Sequence, residues 1–407
     1  MTKVHQSGPT REQGSLHGVT VLDATQMLAG PLAAARLGDL GANVIKIEPV
    51  GRGEFNRTHG FGDASIDGEM TTFTAVNRNK RSLAIDLKHP EAHGVLARLV
   101  SSADVFIQNF RQGTAEKLGV GFTQLEDLNP ALVYCSISGY GSTGPYRDRP
   151  GQDLIVQGYS GSMFSVGRDA DPPQPGALWA ADVMTGYQAA IGILAALHDR
   201  HHSGLGQHVE VDMLTVTLDA QLQELVTYLN LGLKPVRTKS PSAHASIPAP
   251  YGVYKTSDGW LTLAMSPLPA LGEMLDDDVL RSMTAYNDGM IKRDEIWLRI
   301  KDRFIEKSTA EWVSLSDEFG VWAGPVYDYD GLQEDPHVSQ TGIFTSQPHR
   351  VPDNPVKTVR PPIRMSRNSV GISRGAPALG EHTRAVLGEI GFTDEEIRTY
   401  LESGVVG

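Results

Sequence analysis

The sequence predicts an open α/β sheet, on three observations. Short β-like apolar runs alternate with helical patterns from Val19 to Ser138, proline and glycine mark the junctions, and 407 residues suffice for two or three domains with a sizeable core. Residues up to His17 are polar and read as a loose arm. Val19–Asp23 is the first strand. Pro31 then stands at the start of a helix through Leu40, where its missing N–H loses no hydrogen bond, and Gly41 closes that helix. Asn43–Ile47 is the next strand, completing a βαβ unit. Gly51 to Glu69 reads as loop, and the basic loop Asn77-Arg78-Asn79-Lys80-Arg81-Ser82 feeds a strand over Leu83–Lys88. A helix over Glu91–Val100, a strand over Val105–Ile107, a short helix over Thr123–Leu128 and a strand over Leu132–Ile137 continue the alternation.

A stiff proline segment, Pro172 to Pro175, leads to Asp182, which stands directly ahead of a long helical pattern. Apart from Asp182 and Tyr187, no ionisable group lies between Asp171 and His198. Ser203–Gly206 stops the helix, His208–Met213 alternates as a strand, and Leu214–Leu231 is helical again. The stretch from Lys234 to Pro250 carries four prolines and reads as a linker. Beyond it, Tyr251–Tyr254 and Trp260–Ala264 bracket the hairpin turn Ser257-Asp258-Gly259, and amphipathic helices follow over Lys292–Lys307 and Thr309–Phe319. Residues from about 235 to 335 are therefore assigned to a smaller second domain. The tail offers short strands near Gly342–Phe344 and Pro362–Met365, a helix opened by Gly380-Glu381-His382-Thr383, and a capping box at Thr393–Glu396.

A net charge of -12 argues against a broad nucleic-acid surface, which needs clustered positive charge. One cysteine, Cys135, excludes a disulfide within the chain and fits a reducing cytoplasm. The N-terminus lacks the apolar core of a signal peptide, and the run Ala189–Leu197 falls short of the roughly 20 residues a membrane span requires. The expectation is a soluble cytoplasmic protein that engages neither membrane nor nucleic acid.

Gly139-Tyr140-Gly141-Ser142-Thr143-Gly144 has the spacing of a dinucleotide fingerprint, but that fingerprint requires a helix next, and two prolines follow instead. It reads better as a loop that lets a ligand approach the backbone. His198 and His202, like His89 and His93, have the spacing of a metal pair, yet no cysteine lies near and a helix C-terminus favours imidazole anyway, so no metal is assigned. Cys135 in a buried strand reads as a core thiol. Lys80, Arg81, Lys88, Arg111 and Lys117 fall at strand ends and loops, where open α/β sheets collect anionic ligands. Asp182 has two compatible readings: an N-cap accepting from the first-turn N–H groups, or a carboxylate nucleophile kept ionised by the same helix N-terminus.

Residues 21–31 (VLDATQMLAGP), 40–49 (LGANVIKIEP), 79–88 (NKRSLAIDLK), 103–111 (ADVFIQNFR) and 138–141 (SGYG) resemble the family III coenzyme A transferases. So do the Ala-Asp-x-x-x-Gly around Asp182, residues 204–213 (GLGQHVEVDM) and residues 379–383 (LGEHT). The superfamily also holds 2-methylacyl-CoA racemases. The resemblance implies a Rossmann-like large domain (1–234 with the returning segment 336–407), an inserted smaller α+β domain (235–335), and an interlocked ring-like homodimer. It implies Asp182 as catalytic residue. Coenzyme A contacts are implied at Leu28, Ala29, Ile85, Asp86, Leu87, Lys88, Asn109, Phe110, Arg111, Lys117, Ser138, Gly139, Tyr140 and Gly141. No cofactor is bound permanently; coenzyme A enters as acyl-CoA substrate, with a carboxylic acid as its counterpart.

The implied chemistry is attack of Asp182 on a thioester, giving an aspartyl anhydride and then an aspartyl-CoA thioester. The racemase branch adds a histidine base in a Gly-His-Asp element. Here the element is Gly151-Gln152-Asp153, and glutamine cannot take up a proton, which favours transfer. Oxalate-using members carry glutamine where this chain has Leu28 and a basic residue where it has Pro49. Leu28, Met27 and Trp179 would then make an apolar acyl pocket for an acid larger and less polar than oxalate. A catalytically silent CoA-binding protein of the same fold is the other class of reading.

Overall fold

The computed structural model describes residues 13–285, 287–351 and 354–407; residues 1–12, most of the expected loose arm, lie outside them. The chain forms two compact units, one of Met1–Val156, Trp179–Thr217 and Gln340–Gly407, the other of Gln157–Leu178 and Leu218–Ser339.

The first unit is built on a six-stranded sheet, every pairing of which is parallel. In chain order its strands are β1 (Thr20–Ala24), β2 (Asn43–Glu48), β3 (Lys80–Ala84), β4 (Val105–Gln108), β5 (Val133–Ser138) and β6 (His208–Asp212). They lie side by side as 3-2-1-4-5-6, the doubly wound dinucleotide-fold order. Alternation along the strands explains why both faces are covered. Leu22, Ile45, Phe106 and Tyr134 join a core with Val95, Leu96 and Leu99 of helix Ala92–Ser101. Their neighbours Val21, Val44, Val105 and Cys135 join a second core with Leu37 of helix Ala29–Asp39 and Ile193 of the central helix, Ala180–Ser203. Among the described residues the central helix alone is long and apolar enough to cross a membrane by length and composition, but eight of its residues are buried in this domain.

Three expectations are corrected. The third strand begins at Lys80, inside the stretch read as a basic loop, because Lys80 and Ser82 turn inward to buried carboxylates rather than outward to water. The tail strands are Phe344–Gln347 and Val356–Val359, an antiparallel pair. Residues just before His17 are not loose: the Leu16 N–H donates to Leu40 O at 2.9 Å. The expected capping box at Thr393 is present and starts helix Asp394–Glu402.

The second unit carries a three-stranded antiparallel sheet whose hairpin, Gly252–Lys255 with Trp260–Leu263, lies where the turn signal placed it. Tyr254, Leu261, Phe304 and Trp312 centre its core.

Candidate active site

Strands β1 and β4 are neighbours whose following helices cover opposite faces, which makes their C-terminal ends the switch point of the sheet. The loop after β1 is fixed group by group. Asn109, just past β4, accepts from the Gln26 N–H at 2.9 Å and donates to the Gln26 carbonyl at 2.8 Å. Met27 sits at φ 70°, a left-handed conformation uncommon for a side chain of its size, and is clamped by Glu54 on its N–H (3.2 Å) and Asn56 on its carbonyl (2.8 Å). Buried Lys46 donates to Thr25 O at 3.0 Å.

Beneath this loop lies a buried ionic network. Lys80 donates to Asp23, Asn77 and Pro31 O at 2.8 to 2.9 Å; Arg57 makes a two-pronged pair with Glu48 at 2.7 and 2.8 Å. Burial alone would push the Asp23 and Glu48 carboxyls up, but Lys46 and Lys80 around the first, and Arg57 and Lys46 around the second, hold both below the usual range. Lys80 is pushed down to about 8 by burial, despite Asp23. Lys80 is thus withdrawn as a ligand-binding cation: it is fully buried and supports the loop from below.

A cleft of about 240 Å³ opens at the ends of β4, β5 and β6, lined among others by Gln108, Phe110, Ser138, Gly141 and Asp212. Its glycine-rich loop is held by a backbone crossing. A Cβ on Gly139 would stand 2.6 Å from the Gly151 Cα, and one on Gly151 would stand 2.4 Å from the Gly139 Cα, so neither position admits a side chain. The Leu214 N–H donates to Gly139 O, and the Gly141 N–H to Ser138 Oγ. No helix follows the loop directly; the next begins at Asp153.

Asp182 does not line that cleft but is tied to it. Asp153, two residues past the crossing and 4% exposed, accepts the Asp182 N–H at 3.1 Å. Tyr140 of the glycine loop packs on the cluster of Val156, Ala181 and Met213. The helix cap is Trp179, with no side-chain cap bond, so the N-cap reading of Asp182 is corrected. The carboxylate lies in the first turn instead and is not made more acidic there. Burial, then the negative charge of Asp153, pushes its pKa up to about 6. A close contact fixes the start of the central helix against the first: a Cβ on Gly186 would come within 2.7 Å of Ala29 O.

The other predicted residues are distributed along the same sheet edge. Leu28 and Ala29 open the first helix, with Ala29 buried. Ile85 is 1% exposed, so its side chain belongs to the core. The Asp86 N–H donates to Val405 O while its carboxylate accepts from the Lys88 N–H, a turn that leaves Leu87 packed partly on the core. Lys88, Arg111 and Lys117 are exposed, and among the described residues none of the three enters an ion pair. Arg81 is committed to Glu389 through two contacts of 2.7 Å. Among the described residues no three metal-ligating side chains gather, and burial pushes the Cys135 thiol up to about 12. Sequence reasoning overlooked Asp153 as a neighbour of Asp182; its only signal was its place after the paired glycine.

The pattern of CoA-transferase family III matches residues 16–383. The chain belongs to that family. Mouse succinyl-CoA:glutarate CoA-transferase is 33% identical over 404 residues, covering 96% of this chain and 90% of its own. Succinate–glutarate CoA-transferase of Agrobacterium fabrum is 35% identical, covering 92% of this chain and 95% of its own. The crystal structure of a CaiB/BaiF family protein from Brucella suis matches with a TM-score of 0.81 at 30% identity, over 93% of this chain and all of that one. The protein is a CoA-transferase, and its substrates are CoA thioesters and carboxylic acids.

Proposed function

We propose that this CoA-transferase works through Asp182 as nucleophile, moving coenzyme A from a dicarboxylic acyl-CoA to a second dicarboxylic acid. The observation that carries the reading is the state of Asp182: half-buried, beside a second carboxylate, and with its pKa raised to about 6. It is ionised at neutral pH yet poorly solvated, the condition in which a carboxylate is most nucleophilic. Attack on the donor thioester gives an aspartyl anhydride and CoA thiolate. The thiolate returns to the aspartyl carbonyl, the donor acid leaves, and an acceptor carboxylate reverses the two steps. Each step exchanges one activated acyl bond for another. Coenzyme A lies along the sheet edge, with Lys88, Arg111 and Lys117 meeting its phosphates and the Gly139–Gly144 loop shielding the anhydride from water.

Glutarate, in the names of both relatives, and succinyl-CoA, in that of the mouse relative, would be taken by an acyl pocket of Leu28, Met27 and Trp179. Met27 and Trp179 are 38% and 50% exposed, available to a ligand. In this reading the enzyme is an interlocked homodimer. Helix Leu222–Leu231 buries none of its residues within the chain, and Leu222, Val226 and Leu229 form an exposed apolar stripe that a partner would cover. Light scattering is expected to give twice the chain mass, and a monomer mass would refute that assembly.

The test of the function is a donor and acceptor panel with purified enzyme. Succinyl-CoA with glutarate is expected to turn over, oxalate to be a poor acceptor, and Asp182→Ala to lose at least about 1000-fold in kcat. Unchanged turnover in Asp182→Ala would refute the nucleophile.

A further inference from the structure

All four backbone polar groups of Gln26 and Met27 are taken by side chains from elsewhere in the same domain. Asn109 accepts the Gln26 N–H and donates to the Gln26 carbonyl, Glu54 accepts the Met27 N–H at 3.2 Å, and Asn56 donates to the Met27 carbonyl at 2.8 Å. Between these contacts Met27 is kept at φ 70°, a conformation that costs free energy for a residue with a Cβ. Packing does not offset that cost: the Met27 side chain is exposed and joins none of the hydrophobic cores among the described residues. The clamp is rooted in buried polar groups instead. The N–H of buried Glu54 donates to Glu48 at 3.1 Å, and fully buried Asn77 links Glu54 to Lys80, donating to the first at 3.4 Å and accepting from the second at 2.8 Å. Strain held in this way, under an apolar side chain left outside the core, marks a working surface.

The clamped residues stand level with Asp182. The first helix, Ala29–Asp39, and the central helix, Ala180–Ser203, both return from the C-terminal to the N-terminal edge of the parallel sheet, so they run side by side in the same direction, sharing a core through Ala33, Leu37, Ala189 and Ile193. Where they touch, a Cβ on Gly186 would meet Ala29 O at 2.7 Å. Asp182 lies one turn, about 6 Å, before Gly186 on the same helix face, and the residues one turn before Ala29 are those of the loop, Thr25–Leu28.

We propose that Glu54 and Asn56 are positioning residues that set the enzyme's choice of acid. By fixing Met27 in its left-handed conformation they fix where the Met27 and Leu28 side chains stand beside Asp182. A fixed apolar wall there favours an acid with methylenes between its carboxylates over one without them. The inference rests on the acyl pocket of Leu28, Met27 and Trp179 given above, and the two residues act through the Met27 backbone rather than on the substrate.

The test is the ratio of kcat/KM for glutarate to that for oxalate, with purified enzyme and succinyl-CoA as donor. This ratio does not depend on how much of the enzyme is folded, so a merely structural role leaves it unchanged. Asn56→Ala and Asn56→Asp both remove the donor to the Met27 carbonyl. Each is expected to lower the ratio about tenfold, as the loss of one hydrogen bond allows, with the Kd for free CoA unchanged. Glu54→Gln keeps an acceptor for the Met27 N–H and is expected to lower the ratio less than Glu54→Ala does. In a Met27→Gly background the Asn56→Ala effect is expected to shrink, since glycine holds a positive φ unaided. Folded Asn56→Ala and Asn56→Asp enzymes with the wild-type ratio overturn the proposal, and so does an Asn56→Ala effect that is equal with and without Met27→Gly. A wild-type enzyme that does not prefer glutarate refutes the acyl pocket itself, a separate failure seen before any variant is made.

Discussion

Two groups of carboxylates in the same domain have opposite characters. Asp23 and Glu48, under the loop after β1, are matched by Lys46, Lys80 and Arg57, and their pKa values are lowered against the cost of burial. Asp153 accepts the Asp182 N–H, and burial followed by the Asp153 charge raises the Asp182 value. Buried charge surrounded by counter-charge holds a backbone in place; a carboxylate whose desolvation is not offset is held above its ordinary value. The first group supports the loop after β1, and the second holds the carboxylate proposed as nucleophile.

The comparison can be broken at its strongest point first. Asp23→Ala would leave two buried ammonium groups facing one fewer carboxylate, and a loss of about 3–5 kcal/mol in urea unfolding is expected. A loss under 1 kcal/mol would show that the network is not structural. Next is the crossing. Gly151→Ala places a Cβ against the Gly139 backbone, so about 2–3 kcal/mol of destabilisation is expected, together with a fall in kcat as Asp153 is displaced.

Asp182→Asn should do the reverse and stabilise. Between its ordinary value near 3.8 and about 6, the folded protein holds a proton on Asp182 that the unfolded chain has released. Stability therefore falls as pH rises through that window, and above it the full penalty is present. Removing the charge is expected to add about 1–2 kcal/mol at pH 7.5 and nothing near pH 3.5, measured by thermal melts at both. The smallest effect is assigned to Arg81→Ala, whose partner Glu389 is 56% exposed; under about 1 kcal/mol is expected in the same melts.

Much of this was legible in the sequence. Alternating apolar runs put five of the six sheet strands within a residue or so of their places, and Pro31 and Gly41 marked the first helix. The third strand was misplaced because Lys80 and Arg81 look solvated by composition, and only a partner such as Asp23, 57 positions earlier, makes Lys80 a core residue. Asp182 was legible as a singular carboxylate. That it is no cap was not, since capping depends on one residue of helix phase, and the Asp153 contact spans 29 positions of sequence with no local trace.

The central claim is that Asp182 becomes covalently acylated. Wild-type enzyme incubated with succinyl-CoA alone, treated with hydroxylamine and digested, should carry a hydroxamate on the peptide containing Asp182 and on no other carboxylate, and Asp182→Asn should carry none. An unmodified Asp182 peptide in enzyme that turns over, or a hydroxamate at another residue, would contradict the account.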